Sequence, residues 1–430
     1  MINSSGRFDN LFCCGILIEY FFTGMPHFLK DFIMLKIDRF YDARRELRKV
    51  LRRTPLIPAP MFSTDAEVYI KPENLQVTGS FKVRGAYYKI ATLSDAEKSR
   101  GVIACSAGNH AQGVALGSQV NNIPAKIFVP STAPISKVEA TKRYGAEVVL
   151  IDGIYDDAYA AACAEVERTG AVFVHPFNDD DVIAGQGTIG LEIMEDMSSA
   201  EAVVVPIGGG GLASGVAIAI KTINPNCKVY GVQAAGAPSM ADSYHNKSIT
   251  ASTSVKTFAD GIAVKKPGDL TFEYCSKYLD DIVTVTDDEI ATAIVMLMEG
   301  QKLIAEGAGA TALAAIHFKK LPIKGKKVVA LLSGGNIDVT ILSRVIHRGL
   351  VTSGRYSELN IELLDRPGEL TRISSVISSM GANVVQVNHT RGNVHNDVNA
   401  CFLQIAMETR DFAHFNEIKK ALQNAGYLVN

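Results

Sequence analysis

The stretch Glu201-Ala-Val-Val-Val-Pro-Ile-Gly-Gly-Gly-Gly-Leu-Ala-Ser-Gly215 is an apolar, β-branched run that enters four consecutive glycines and then a helical pattern. Backbone amides exposed at such a turn, together with the helix N-terminus, form an anion cradle. Residues without side chains also let the backbone approach a phosphate closely. Gly208, Gly210 and Ala213 satisfy the loose dinucleotide pattern G-x-G-x-x-G/A. About 20 residues further on, where that pattern wants an acid for a ribose, the chain offers Lys228 and Gln233. A single phosphate is therefore favoured over a nicotinamide dinucleotide. Tight strand–helix packing accounts for one or two glycines in a row, but poorly for four.

Outward from this turn, short β-branched runs alternate with longer helical patterns between Val68 and Ile346, at 102–105, 125–129, 147–151, 202–207, 228–232 and 328–332. That alternation predicts parallel α/β architecture, with helices covering both faces of the sheet and ligands gathered at the carboxyl ends of the strands. Upstream, Ile37 to Arg53 reads as a basic amphipathic helix. Downstream, the small polar stretch Thr352-Ser-Gly-Arg-Tyr-Ser357 marks a linker at 349–356. Beyond it the pattern becomes strand (358–364), Pro367-Gly368 turn, helix (370–380), two strands (383–388 and 398–407), helix (412–424) and a short last strand. This βαββαβ order predicts a ferredoxin-like α+β module over 357–430.

The composition narrows the function classes. Of 430 residues, 43 are basic and 45 acidic, a net charge of −2, so nucleic acid is not expected as a partner. With 47% hydrophobic and 20% charged residues, the chain can bury sizeable cores. Seven scattered cysteines, with no zinc-type spacing, point to reduced thiols in a cytoplasmic protein. The apolar run Leu11 to Phe22 contains Glu19 and is too short for a membrane span. Residues 1–33 are therefore expected to be an extension outside the fold, with a weak secretory or organellar signal as the alternative.

Two further loops carry polar chemistry. In Lys71-Pro-Glu-Asn-Leu-Gln-Val-Thr-Gly-Ser-Phe-Lys-Val-Arg-Gly-Ala86, Lys82 follows a Thr-Gly-Ser turn and opens an apolar helix running to about Leu93. Alone, such a lysine reads as a solvated first-turn residue. In Ser106-Ala-Gly-Asn-His-Ala-Gln-Gly113, a strand end leads into a helix whose amides and Ser106 can receive a carboxylate, while Asn109 can hydrogen-bond a ring hydroxyl. Leu331-Leu-Ser-Gly-Gly-Asn-Ile-Asp338 is a third strand running into a small-residue turn. A lysine beside an aromatic, a glycine cradle and a hydroxyl at a strand end are the parts a pyridoxal phosphate site needs.

Ser80-Phe81-Lys82-Val83-Arg84-Gly85-Ala86, Ser106-Ala107-Gly108-Asn109-His110, Gly208 to Leu212 and Ser333-Gly334-Gly335-Asn336, in this order and spacing, closely resemble the serine/threonine dehydratases. These belong to the tryptophan-synthase-β-like class of pyridoxal phosphate enzymes. The resemblance covers roughly residues 36–347 of the sequence. It implies a two-lobed fold type II catalytic domain over 34–348, with a smaller lobe at about 76–180 inserted in the larger. The tail, with Leu364-Asp-Arg-Pro-Gly-Glu-Leu370, looks like an ACT regulatory domain, so the whole chain is similar to threonine ammonia-lyases carrying one such module.

The resemblance implies that Lys82 holds the cofactor and later takes the α-proton, while Phe81 leans on the pyridine ring. Gly208, Gly209, Gly210, Gly211 and Leu212 would bind the phosphate, Asn109 the phenolic oxygen and Ser333 the pyridine nitrogen. Ser106, Ala107, Gly108, Asn109 and His110 would receive the substrate carboxylate. A serine at the pyridine nitrogen need not keep it protonated, which suits expulsion of a β-leaving group better than transamination. The reaction implied turns L-threonine into 2-oxobutanoate and ammonia, and L-serine into pyruvate, with amino-acid-type allosteric control.

Ala107 stands where racemases of this class carry a second serine, which disfavours racemisation. Gln233 replaces their divalent-metal glutamate, so no tightly bound divalent ion is expected; a monovalent cation stays open. In the tail, the resemblance implies modules that pair side by side and bind an amino acid at their interface, with Asp365, Pro367, Gly368, Leu370 and Asn383 as the expected contacts and a module that only dimerises as the alternative. His389 and His395 read as turn and edge residues. A homodimer or homotetramer is expected from the resemblance. Three readings compete: a threonine ammonia-lyase, a serine-preferring dehydratase or racemase of the same fold, and a non-catalytic amino-acid sensor.

Overall fold

Strands form where the β-branched runs stand, in a computed structural model that describes residues 35–391 and 400–429. The extension over 1–33 and His395 lie outside the described residues. In chain order the strands of the larger unit are β1 (Ile57–Pro58), β2 (Glu67–Pro72), β3 (Val102–Cys105), β4 (Ala125–Pro130), β5 (Glu147–Ile151), β6 (Val172–Phe173), β7 (Ala202–Pro206), β8 (Lys228–Ala234), β9 (Asp281–Val285) and β10 (Lys327–Leu332). They make a six-stranded sheet of order β1-β2-β10-β7-β8-β9 and a four-stranded sheet of order β5-β4-β3-β6. All neighbours are parallel except β1 and β2. Fold type II architecture, as expected, is present, and it is built on these two sheets. Because β7 and β10 are adjacent and parallel, the turns that follow them open on the same edge of the sheet.

Central strands β7 and β10 are buried almost throughout, which is why they read as continuous apolar runs. Helix Gly211–Ile223 packs on helix Asp180–Asp196 through glycines. A Cβ on Gly215 would collide with the Ile183 carbonyl, and one on Gly187 with the Phe40 ring.

The N-terminal helix is shorter than its periodicity predicts. It spans Ile37–Leu47 and buries Phe40, Ala43 and Leu47. The chain then turns and straightens toward Thr54, which precedes Pro55 and is disfavoured in a helix. Straightening lets the Thr54 carbonyl accept a 2.5 Å hydrogen bond from Lys71 Nζ.

That bond belongs to a buried charge network. Lys71 Nζ donates to Glu192 Oε2 at 2.6 Å, and Arg84 donates to both oxygens of Glu73 at 2.7 Å. Arg84 also donates to Glu192 Oε1 at 2.7 Å and to Thr188 Oγ1 at 3.1 Å, while Thr54 Oγ1 donates to Glu73 Oε1 at 2.6 Å. Burial opposes the charge on Arg84, but the coulombic pull of Glu73 and Glu192 outweighs it, so the pKa of Arg84 lies above its ordinary value. Two cations face two anions, leaving no net buried charge.

Contacts divide the chain into two compact units. The first runs to Asp287 and resumes over Gly300–Ile337; the second comprises Asp288–Glu299 and the chain from Asp338 onward. Helix Val339–Thr352 of the second unit covers the first half of the stretch read as a linker, and its Gly349 meets Val295. The tail follows as β11 (Tyr356–Leu364), helix Glu369–Ser379, β12 (Asn383–Arg391), β13 (Ala400–Glu408), helix Phe412–Asn424 and β14 (Leu428–Val429). These strands form an antiparallel sheet of order β12-β13-β11-β14, the ferredoxin-like arrangement. Leu359, Ile361, Ile373, Ile377, Leu403 and Ile418 fill its core. No described helix is long and apolar enough to cross a membrane.

Removing one partner of the buried network should strand the others. Glu192→Leu is expected to destabilise the larger unit by about 3–5 kcal/mol, read as an earlier midpoint in guanidinium unfolding. A shift below about 1 kcal/mol would show that the network relaxes without Glu192.

Candidate active site

Lys82 is the first residue of helix Lys82–Ala91, held there by its neighbours' backbone. The Phe81 amide donates to the Ser333 carbonyl at 3.0 Å, Ser80 bridges to Gly334, and the Gly335 amide donates to Gly79 O at 2.9 Å. Gly79 takes φ +71°, and a Cβ there would strike the Asn336 side chain. The lysine segment and the turn after β10 are thus stitched together, with Ser333 buried and its Oγ 3.5 Å from Ala308 O.

The Lys82 amine lies in a recess that keeps partial access to the cleft. It donates to the Pro176 carbonyl at 2.8 Å and lies 5.4 Å from the centre of the Phe81 ring. Burial lowers its pKa to about 8, against the opposing pull of Glu306. Next along the chain, Phe177 leads to the glycine turn. A Cβ on Gly209 would collide with the Phe177 ring, one on Gly211 would lie 2.8 Å from Phe177 O, and Gly210 takes φ +101°. Thr271 Oγ1 donates to Gly209 O at 2.5 Å and holds the turn from behind. Helix Gly211–Ile223 begins with no side-chain cap, so its first amides are left for an anion. Leu212 buries its side chain in the core, leaving only its backbone for ligand contact.

The loop after β3 faces the same cleft. Ser106 Oγ accepts from the Gly108 amide at 3.2 Å, and open space surrounds the position of a Cβ on Gly108. Part-buried Ala107 and Asn109 flank Gly108, and helix Asn109–Val120 also lacks a side-chain cap. Asn109 Nδ2 donates to Glu306 Oε1 at 2.7 Å, and its Oδ1 accepts from Asn336 Nδ2 at 2.8 Å. His110 is buried, and its Nε2 bonds the Val174 carbonyl at 2.8 Å while Nδ1 has no partner. Burial lowers its pKa to about 3, so it stays neutral and cannot serve as a general acid near pH 7.

Lys82, Phe81, Ser333, Asn109, the Ser106–His110 loop and the glycine turn therefore line one cleft, linked through residues 176–177 and 333–336. The parts fit a pyridoxal phosphate: a recessed amine with depressed pKa, a turn with no room for side chains at an uncapped helix, and a buried hydroxyl at a strand end. Two contributors escape a reading by motif. His175 Nδ1 accepts from the amides of Phe177 and Asn178 at 3.2 and 2.8 Å and shapes the segment that meets both Lys82 and the glycines. Its one sequence signal is its place after the short strand β6. Glu306 precedes Gly307-Ala-Gly-Ala310, an acid at a small-residue helix start.

Gln233 spends its Oε1 on the Ala241 amide at 2.7 Å. The expected effector residues separate within one chain. Asp365, Pro367, Gly368 and Leu370 follow β11, whereas Asn383 begins β12, opposite Glu408, at the other end of the sheet. Asn383 Nδ2 donates to Glu408 Oε2 at 3.0 Å. β11 and β12 run the same way on either side of β13, so a single copy cannot bring Asn383 to that loop. His389 lies on edge strand β12, where ligand atoms of Asp365, His389 and Cys401 fall within 4.8 Å of one another. Asp365 is already paired with Arg391 Nε at 2.9 Å.

Gly209→Ala should force the Phe177 ring out of place and weaken cofactor retention by at least about tenfold, or roughly 1.4 kcal/mol. Equilibrium dialysis against pyridoxal phosphate, followed by its absorbance, checks this; unchanged retention would place the phosphate elsewhere.

Comparison with known proteins places this cleft in a family. Residues 47–334 match the family described as pyridoxal-phosphate dependent enzyme. The chain is 51% identical over 398 residues to an L-threonine ammonia-lyase of Thermotoga maritima, covering 92% of this chain and 99% of the relative. The processed form of threonine deaminase isoform 2 from Solanum lycopersicum superposes with a TM-score of 0.68 at 40% identity, over 72% of this chain and 93% of that one. Maize serine racemase superposes with a TM-score of 0.69 at 35% identity, over 74% of this chain and 98% of that one. The chain belongs to the pyridoxal-phosphate-dependent enzyme family.

Proposed function

We propose that this protein is an L-threonine ammonia-lyase that eliminates water from L-threonine and releases 2-oxobutanoate and ammonia, with L-serine as a second substrate giving pyruvate. The observation that carries the reading is the recessed Lys82 amine, lowered to about 8 by burial and bonded to the Pro176 carbonyl, next to the Phe177 that packs on the glycine turn. The 51% identity to a threonine ammonia-lyase over nearly the whole chain supports the choice of substrate.

The amides at the start of helix Asn109–Val120 receive the substrate carboxylate, and the open space at Gly108 admits it. Lys82, as a free amine, takes the Cα proton; burial keeps a useful share of it unprotonated near neutral pH. The glycine turn and the uncapped helix Gly211–Ile223 would hold the phosphate, while Asn109 and Ser333 would bind the polar atoms of the ring. When bound, the cofactor supplies the electron sink for the pair released at Cα. Neutral His110 and His175 add no positive charge beside Lys82, so neither pushes its pKa further down. The β-hydroxyl departs as water, the proton it gains balancing the one Lys82 removes from Cα, and hydrolysis of the resulting enamine product consumes one water, so the overall change is loss of ammonia alone.

The likeness to maize serine racemase favours a second reading on fold, but Ala107 offers no hydroxyl for a proton on the opposite face of Cα. An amino-acid effector at the Asp365–Leu370 loop, and a homodimer or homotetramer, complete the proposal.

Purified protein incubated separately with L-threonine and L-serine should release 2-oxo acid from both, faster from threonine, and Lys82→Ala should abolish it. At saturating substrate, where Lys82 stands free of the cofactor, the rate should rise with pH through about 8, the value to which burial lowers the amine. Racemised serine without oxo acid would overturn the lyase reading in favour of the racemase.

A further inference from the structure

Glu306 is a buried carboxyl in the cleft with no task in the reading above. It stands at the start of helix Gly307–His317 without a side-chain capping bond, and its own amide donates to Gly334 O at 3.1 Å, which pins it beside the turn after β10. A Cβ on Gly334 would land on Glu306 Oε1, so that glycine makes room for the carboxyl. The same oxygen accepts from Asn109 Nδ2 at 2.7 Å. Asn336 Nδ2, which also donates to Thr78 O at 2.7 Å, fixes the opposite end of the Asn109 amide. Asn109 is thereby oriented with one N–H on Glu306 and the second left for a ring oxygen.

We propose that Glu306 is a positioning residue for the cofactor: its carboxyl orients Asn109 and, by carrying or losing a proton, sets the charge of Lys82 across the cleft. This rests on the reading of Lys82 as the cofactor lysine.

The charged surroundings are few. Lys82 faces Glu306 from helix Lys82–Ala91, Asp260 from the turn Asp260–Ile262 and Lys137 from helix Ile135–Lys142, and the last two are paired with each other. Around Lys82 stand His110 and His175, which burial lowers to about 3 and about 4 and so keeps neutral. Burial and the Asp260 charge raise Glu306 to about 7, opposed by Lys137, Asn109 and Lys82. Ionised Glu306 holds Lys82 as ammonium; protonated Glu306 releases it toward the free amine. Only the free amine can attack the aldehyde of pyridoxal phosphate, so covalent capture of the cofactor reports the charge on Lys82 directly.

The test uses cofactor-free full-length protein and pyridoxal phosphate across pH 6–9, with borohydride trapping of the lysine-bound cofactor. Common buffers cancel the cofactor's own titration between variants. Glu306→Gln should move the midpoint of capture to lower pH. A downward move of about one unit from 8 raises the free-amine share at pH 7 roughly fivefold. Asp260→Asn, at an exposed position, should let Glu306 ionise at lower pH and slow capture near pH 7. In the Glu306→Gln background the same change should have no effect. An unmoved midpoint in Glu306→Gln overturns the proposal. Should that variant not fold, capture by Asp260→Asn indistinguishable from wild type overturns it equally. Trapping that survives Lys82→Ala would instead overturn the reading of Lys82, and this inference with it.

Discussion

The position of Lys82 depends on a charge network two residues further along its helix. Arg84 is clamped between Glu73, which follows β2, and Glu192 on helix Asp180–Asp196, while Lys71 joins Glu192 to the Thr54 carbonyl. Desolvating four charges is expensive, and an apolar cluster of equal volume would hold the same elements at least as firmly. The network adds direction. Each Arg84 nitrogen points at a named oxygen, so helix Lys82–Ala91 can neither rotate nor slide without breaking several short bonds. One residue before Arg84 in the turn of the helix, Val83 is sealed in the core; one before that, Lys82 is left facing the cleft.

Burial then does different things to different groups in that cleft. It drives two imidazoles, His110 and His175, to neutrality, lowers the lysine to near 8 and raises the Glu306 carboxyl to near 7. A fixed cation beside Lys82 would suppress its pKa further, and an always-ionised acid would raise it. The site instead holds one acid and one amine whose titrations lie within reach of each other. Among the described residues, the charge that favours a protonated lysine there is that of Glu306.

Much of this was legible before any coordinates, because strand-end turns advertise themselves. Four glycines after an apolar run, Ser-Gly-Gly-Asn after another and a lysine after Thr-Gly-Ser are backbone requirements written as residue types. Tertiary requirements are not written that way. Glu306 matters through Asn109, far away in the chain, and His175 by bending a segment whose own partners are Lys82 and the glycines, so no local pattern separates either from ordinary loop residues. Residues 48–53 keep helical spacing, yet the first helix ends at Leu47, because the decisive contact, Thr54 O with Lys71, is a tertiary one. Strand direction and register are likewise invisible in a linear reading: within one copy, register puts Asn383 at the end of the sheet away from the Asp365 loop.

The tail differs from the cleft in how strongly its features are held. The Asp365–Leu370 loop is exposed apart from Glu369, and Gly368 takes φ +93° with open space where a side chain would be. The ion pair between Asp365 and Arg391 is solvent-exposed, so it contributes less than about 1 kcal/mol. A ligand that displaced it would therefore lose little there, and would not need to match its geometry. Any coupling to activity must come instead from a difference in ligand affinity between two states of the protein. A loop that is cheap to rearrange and free of buried polar groups is compatible with that role, whereas the Arg84 network, rigid and fully paired, is suited only to holding one state.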